Sequence, residues 1–426
     1  MPPIPYFARV IDSELEELLP SLPAIALEGA KGVGKTRTAR EHAGASYQLD
    51  DPTIAAIAAA DPRRLLRGTA PVLIDEWQRL PESWDLVRRA VDEDGRPGRF
   101  LLTGSSTPRD SGTHSGAGRI VRLRMRPMTL SERRVGRPTV SLVALLTGDR
   151  PHIEGSTEVH LEDYVDEMCR SGFPAIRELS GRARRLQLDG YIERIIDRDF
   201  PELGHPIRNP GTLRRWLAAY ASASSTTASY ERIRDAATSG QGDKPAKTTT
   251  LPFRDVLERL WILDAVPAWA PTRNSFTRLA AAPKHQLCDP ALAARLLGAN
   301  PSNLLNAPAS VATVGRDGAL LGQLFESLVT LDVRVYAQAA EATVSHFRSQ
   351  GGDHEIDLIV ERPDRRIVAI EVKLARTISD SDVSHLHWLR DRIGPDLLDA
   401  VVVCTGTEAY RRADGIAVVP AALLGP

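Results

Sequence analysis

The chain has 426 residues, 42% apolar and 26% charged, a composition that fits a soluble globular protein of two to four domains. A formal net charge of −1 excludes a global field that would pull it onto nucleic acid or membrane, so any such contact needs a local patch. No apolar run approaches the roughly 18 residues of a membrane span, and the N-terminus has no apolar signal core. Cys169, Cys288 and Cys404 stand far apart, without a CxxC pair, which argues against a disulfide framework or zinc site and fits a reducing cytoplasm.

The first informative stretch is PAIALEGAKGVGKTRTAREHA, residues 23 to 43. An apolar strand runs into a glycine loop, and a helix is expected from Lys35. The loop reads G-x-x-x-x-G-K-T, with Gly29, Gly32, Gly34, Lys35 and Thr36. Such glycines let backbone N–H groups turn around a phosphate, the lysine reaches the β- and γ-phosphates, and the threonine hydroxyl serves Mg²⁺. The alternative is a glycine-rich turn that binds nothing.

PVLIDEWQRLP (71 to 81) is a second buried strand, ending in Asp75 and Glu76. An aspartate there holds Mg²⁺ in nucleoside triphosphatases, and an adjacent glutamate orients or activates the attacking water. GRFLLTGSS (98 to 106) ends a third strand in Thr103, Ser105 and Ser106, small hydroxyls suited to sensing the γ-phosphate. Arg119 follows in a glycine-flanked loop, placed either to reach phosphate in its own site or a neighbour's, or to stay solvated.

Taken together, GAKGVGKT, LIDEWQ, LLTGSS and the later RPMTLSE resemble the AAA-type ATPase domain of the prokaryotic AAA-14/DUF4143 group. The resemblance covers about residues 1 to 135 and extends in outline over the chain. It implies an AAA-like parallel sheet binding ATP and Mg²⁺, with a homo-oligomer left open because AAA relatives form rings. The family's usual proline-arginine loop opening is here Ala30-Lys31, so Lys31 stands where the family makes a contact with arginine.

From 155 to about 300 the apolar spacing of three and four residues predicts helices. Helix, helix, loop, helix and short strand is a winged-helix layout. GFPAI, YIERIIDRDF and KHQLCDPALAARLLG resemble the DUF4143 region that follows the ATPase. Lys244 and Lys247 approach the third helix of this module, where a duplex-reading helix meets phosphate; the alternative is a protein–protein module.

In the last part, GALLGQLFESLVTLDVRVYAQ predicts a helix with Glu326 among apolar neighbours. Two strands follow that can pair as a hairpin, one with Asp357 and one, IVAIEVK, with Glu371 and Lys373 on a single face. Only six of the 54 basic residues are lysines (Lys31, Lys35, Lys244, Lys247, Lys284 and Lys373), so a lysine here points to chemistry that a guanidinium does not perform. A helix glutamate followed by D-x13-E-x-K resembles the PD-(D/E)xK nuclease fold, a restriction-endonuclease-like α/β domain over about 318 to 405. The resemblance implies that Glu326, Asp357 and Glu371 hold Mg²⁺ and that Lys373 orients the attacking water or stabilises charge, on DNA or RNA. A plain strand-to-strand ion pair is the alternative, as is a nuclease fold that binds nucleic acid or a protein partner without cutting.

The expected organisation is therefore an α/β P-loop NTPase domain (1–150), a mainly helical, winged-helix-like segment (151–305) and a nuclease-like α/β domain (306–426). The expected catalytic residues are Glu76, Lys373 and Arg119. The expected nucleotide contacts are Gly29, Lys31, Gly32, Gly34, Lys35, Thr36 and Ser105, and the expected metal ligands Thr36, Asp75, Glu326, Asp357 and Glu371.

Overall fold

The computed structural model describes residues 6–105, 117–207, 209–238, 244–270, 281–306, 317–349 and 351–426. Ser106, expected beside the γ-phosphate, lies outside the described residues.

The N-terminal part is built on five strands: β1 (Ala24–Glu28), β2 (Ala45–Gln48), β3 (Val72–Asp75), β4 (Phe100–Gly104) and β5 (Val121–Arg124). They lie in the order β2-β3-β4-β1-β5, and every pairing is parallel. Strands β1, β3 and β4 are buried along their whole length, which explains their nearly unbroken apolar runs: a parallel sheet is covered on both faces. Because β4 lies between β1 and β3, its carboxyl end reaches the glycine loop on one side and the acidic strand end on the other.

The middle segment is helical, with Leu161–Arg170, Gly181–Arg194, Pro210–Ser222, Tyr230–Ala236, Lys247–Arg259 and Pro290–Leu296 as its main helices. After Lys247–Arg259 the chain makes two antiparallel bridges, Leu263 to Leu287 and Val266 to Lys284. Lys244 does not stand free for phosphate: its ammonium pairs with Glu231 at 2.7 Å and also with Asp235, both on the preceding helix.

The C-terminal part packs the long helix Asp317–Ala339 against a sheet whose central strands are β9 (Thr343–Arg348), β10 (Glu355–Glu361), β11 (Ile367–Lys373) and β12 (Leu397–Cys404). Strands β9, β10 and β11 run antiparallel, and β11 runs parallel to β12. Beyond β12 lie β14 (Ala417–Pro420) and then β13 (Glu408–Arg411). The outermost strands come from elsewhere in the chain: β7 (Gly155–Ser156) pairs with β13, and β8 (Ala268–Trp269) with β9. A further pair joins β6 (Val140–Ser141) to β15 (Leu424–Gly425). The expected boundary at 150 thus passes through a stretch, 140 to 156, that pairs at both ends with residues of the C-terminal part.

One apolar core runs through all three parts, from Ile25 and Leu27 through Trp216 and Leu257 to Leu328 and Val403. A buried charge cluster crosses the same junction. Asp264 binds Arg124 (2.8 Å), Arg126 (2.8 Å) and Arg334 (2.9 Å), so the N-terminal sheet, the middle segment and the long C-terminal helix share one carboxylate. Burial alone would raise its pKa; the three guanidiniums outweigh burial and hold the group well below the usual carboxylate range.

Candidate functional site

Backbone geometry makes the phosphate loop. Gly34 has φ 106° at the start of helix Lys35–Glu41, a conformation that side chains resist. A Cβ on Gly29 would lie 2.1 Å from the Met125 carbonyl oxygen, so the loop can approach its neighbour only with glycine there. Lys35 lies buried and bonds the carbonyl oxygens of Gly29 (2.8 Å) and Ala30 (2.9 Å). Burial pushes its pKa down to about 8, against the pull of Glu76 and Asp75.

Thr36 Oγ1 donates to Asp75 Oδ1 at 2.7 Å, and Thr103 Oγ1 donates to the same oxygen. The hydroxyl and carboxylate expected to serve Mg²⁺ are thus in contact, a donor set suited to a hard cation. Glu76, at φ 56°, accepts from Gln78 Nε2 (2.6 Å), which also reaches Ser105 Oγ (3.2 Å). Gln78 escaped the sequence reading, although it sits two residues past Glu76 in LIDEWQ.

These residues open on a cavity of about 390 Å³ lined by Gly32, Gly34, Lys35, Thr36 and Glu76, and closed by Tyr6, Phe7, Met128, Pro174 and Ala175. Pro174 and Ala175 belong to the middle segment. Lys31 also lines the cavity, yet its ammonium is held by Asp199 at 2.6 Å and lies 3.6 Å from Glu202. Tyr191 Oη donates to the Lys31 carbonyl at 3.0 Å. Arg119 stands apart: it pairs with Asp92 at 2.8 Å on an exposed face and is not among the residues that line the cavity.

The C-terminal residues form a second centre. Asp357 on β10 accepts the Val372 N–H of β11 at 2.9 Å, and Lys373 pairs with Glu371 at 2.9 Å. Glu326, from the long helix, meets Asp357 through a residue that drew no role from the sequence: Lys284. Its ammonium lies 2.8 Å from Glu326, 3.1 Å from Asp357 and 3.3 Å from Glu355, with 1% of the side chain exposed. Burial opposes its charge, but Asp357 and then Glu326 outweigh burial and keep it protonated. Burial and the Asp357 charge push Glu326 up to about 8 and raise Glu371. Asp357 stays below its ordinary range because Lys284 and the Val372 N–H overcome its burial.

Among the described residues, no group of three or more His, Cys, Asp or Glu is arranged to hold a metal ion. Of the expected set, Glu326 and Asp357 close on the Lys284 ammonium, while Glu371 pairs with Lys373. Glu371 Oε1 is buried and has no hydrogen-bond donor; His385 Nδ1, 3.9 Å away, lies closer to the Glu355 carbonyl oxygen at 2.8 Å.

Residues 21–133 match the family model of an AAA domain, AAA_14. The loop geometry and the all-parallel sheet give the N-terminal part a P-loop NTPase fold, in line with that match. Residues 161–303 match DUF8612 and residues 321–424 match DUF4143, both domains of unknown function. The DUF4143 match thus falls on the C-terminal part, whereas the sequence motifs had pointed to the middle segment. The chain is 26% identical over 420 residues to the uncharacterized protein Rv2008c of Mycobacterium tuberculosis and equally to Mb2031c of Mycobacterium bovis, covering 96% of this chain and 82% of each relative. Among solved structures, the Walker-type ATPase PABY2304 of Pyrococcus abyssi aligns with a TM-score of 0.39 at 17% identity, over 68% of this chain and 96% of that one. Drosophila ORC bound to DNA aligns at 0.22 and 14%, over 68% and 94%. No helix among the described residues is long and apolar enough to cross a membrane.

Proposed function

We propose that this protein is a cytoplasmic Mg²⁺- and ATP-dependent ATPase whose nucleotide state regulates a nuclease-like C-terminal domain that engages DNA or RNA. The observation that carries the ATPase reading is the meeting of Lys35, Thr36 and Glu76 at one cavity, with Asp75 bonded to Thr36 behind them. Lys35 serves the β- and γ-phosphates. Thr36 and Asp75 would hold Mg²⁺, which would supply neutralisation of phosphate charge. Glu76, fixed by Gln78 and Ser105, orients the water. Tyr6, Phe7 and Pro174 form the apolar wall against which a base packs. Arg119, exposed and paired with Asp92, is the arginine that reaches phosphate in its own site or in that of a neighbouring copy of a homo-oligomer. The working units are residues 1–150, 151–305 with a winged-helix-like module, and 306–426.

The test is cleavage of linear, supercoiled and single-stranded DNA and of RNA, with Mg²⁺ or Mn²⁺, with and without ATP. Cleavage that disappears in Lys373→Ala supports the nuclease reading, and its ATP dependence measures the coupling. ATP turnover without cleavage of any substrate overturns the nuclease part.

One observation favours a second reading, a nucleotide-dependent switch or partner-binding module with an inert C-terminal domain: Lys284 stands among the acids that a nuclease would give to metal. That reading predicts ATP turnover indifferent to nucleic acid.

A further inference from the structure

We propose that Lys284 is a tethered cation that occupies the acid cluster in place of a divalent metal, so that removing its charge lets the C-terminal centre take a metal ion. This rests on the nuclease-like reading of the cluster and assigns its regulation.

Three observations carry it. The first is position. The ammonium contacts Glu326, Asp357 and Glu355 at 2.8 to 3.3 Å, and these acids come from the long helix and from β10. A hard dication needs oxygens at about 2.0–2.6 Å, so the same acids cannot close on metal with the ammonium between them. A dication beside it would also meet like charge in a desolvated site, where repulsion is strong. The second is Glu371: Lys373 takes one of its oxygens, the buried Oε1 accepts no N–H, and its carboxyl lies against that of Asp357. A metal ion reached by Asp357 and Glu371 would use Oε1; the ammonium does not.

The third is the way Lys284 is delivered. It belongs to the middle segment, not to the sheet that bears the acids. Its backbone pairs in both directions with Val266, the Lys284 N–H donating to Val266 at 2.9 Å and the Val266 N–H returning at 2.8 Å. Two residues before Val266 is Asp264, the carboxylate shared by Arg124, Arg126 and Arg334. Arg124 ends β5 of the nucleotide domain. The bolt is therefore mounted on the junction between the domains.

The experiment is Mn²⁺ binding to the intact, nucleotide-free protein, read by electron paramagnetic resonance after chelator treatment. Wild type should hold no Mn²⁺ that Glu371→Gln removes. Lys284→Met should gain one such ion per chain, about tenfold tighter or more, and lose it again in Lys284→Met/Glu371→Gln. Mn²⁺ should raise the Tm of Lys284→Met and leave wild type unmoved. Should Lys284→Met not fold, Lys284→Met/Glu355→Gln removes a positive group and a negative partner outside the expected metal ligands, and serves in its place. Wild type that binds a Glu371-dependent Mn²⁺ as tightly as the variant overturns the proposal, as does a folded variant that gains none. The readout is ion occupancy, so a protein that never cleaves nucleic acid can still pass, and one that cleaves can still fail.

Discussion

Lys31 Nζ lies 2.6 Å from Asp199 Oδ1, so the phosphate loop is fastened to the middle segment by a residue that also lines the nucleotide cavity. The polyphosphate and Asp199 compete for one ammonium. Asp199→Asn should free it and lower the repulsion felt by ATP. The expected result is ATP binding tighter by about three- to tenfold, near 1 kcal/mol for a partly exposed pair. Titration with a fluorescent ATP analogue checks it, and weaker binding would remove Lys31 from the list of phosphate contacts.

Lys35→Ala should cost far more than Lys31→Ala. Lys35 is buried against the loop carbonyls, and losing a charge-assisted bond costs about 1.5–3 kcal/mol, or ten- to a hundredfold in Kd. Isothermal calorimetry gives the comparison; equal losses would refute the assignment.

Affinity should also fall with pH. Burial sets the Lys35 pKa at about 8 without nucleotide, and phosphate raises it, so above that pH binding must take up a proton. Kd should rise as pH passes about 8, with a binding enthalpy that depends on the buffer. The same group affects folding with a defined sign. From about 8 up to its ordinary value of 10.5 the unfolded chain binds more protons than the folded one, so this residue's contribution to stability rises with pH there.

Glu76→Gln should retain ATP binding and lower turnover by about 10²-fold or more. Gln78→Ala should act through Glu76: a smaller loss of kcat with KM kept, because the 2.6 Å bond that fixes the carboxylate is gone. A fall in ATP affinity instead would make Gln78 a binding residue.

Asp264→Ala leaves three guanidiniums without their shared partner and should destabilise by about 3–5 kcal/mol. Because the folded pKa is depressed, this stabilisation is present above the ordinary carboxylate range and is lost as pH falls below it. Urea unfolding of wild type should weaken below pH about 4, and the variant should show a shallower acid dependence.

The phosphate loop and the acidic strand end were legible because their chemistry is local. A glycine at φ 106° and a lysine one residue later are fixed by neighbours in the chain. The hairpin was legible for the same reason: period-two alternation puts Glu371 and Lys373 on one face. Lys284 was not, because it reaches Asp357 from 73 positions away. The scarcity of lysine pointed to it as much as to Lys373, but nothing in KHQLCDP reveals three carboxylates. Arg119 is likewise tied to a distant residue that its own glycine-flanked loop does not reveal: Asp92, on a nearby helix, pairs with it on an exposed face.

The C-terminal sheet borrows both of its rims, β7 from residues 155–156 and β8 from residues 268–269. Cut away from the rest, a fragment carrying residues 317 to 426 would bare the backbone N–H and C=O groups of β9 and β13 to any strand that comes near. Such an excised piece should pair edge to edge with other chains more readily than the whole protein, whose own segments cover those edges.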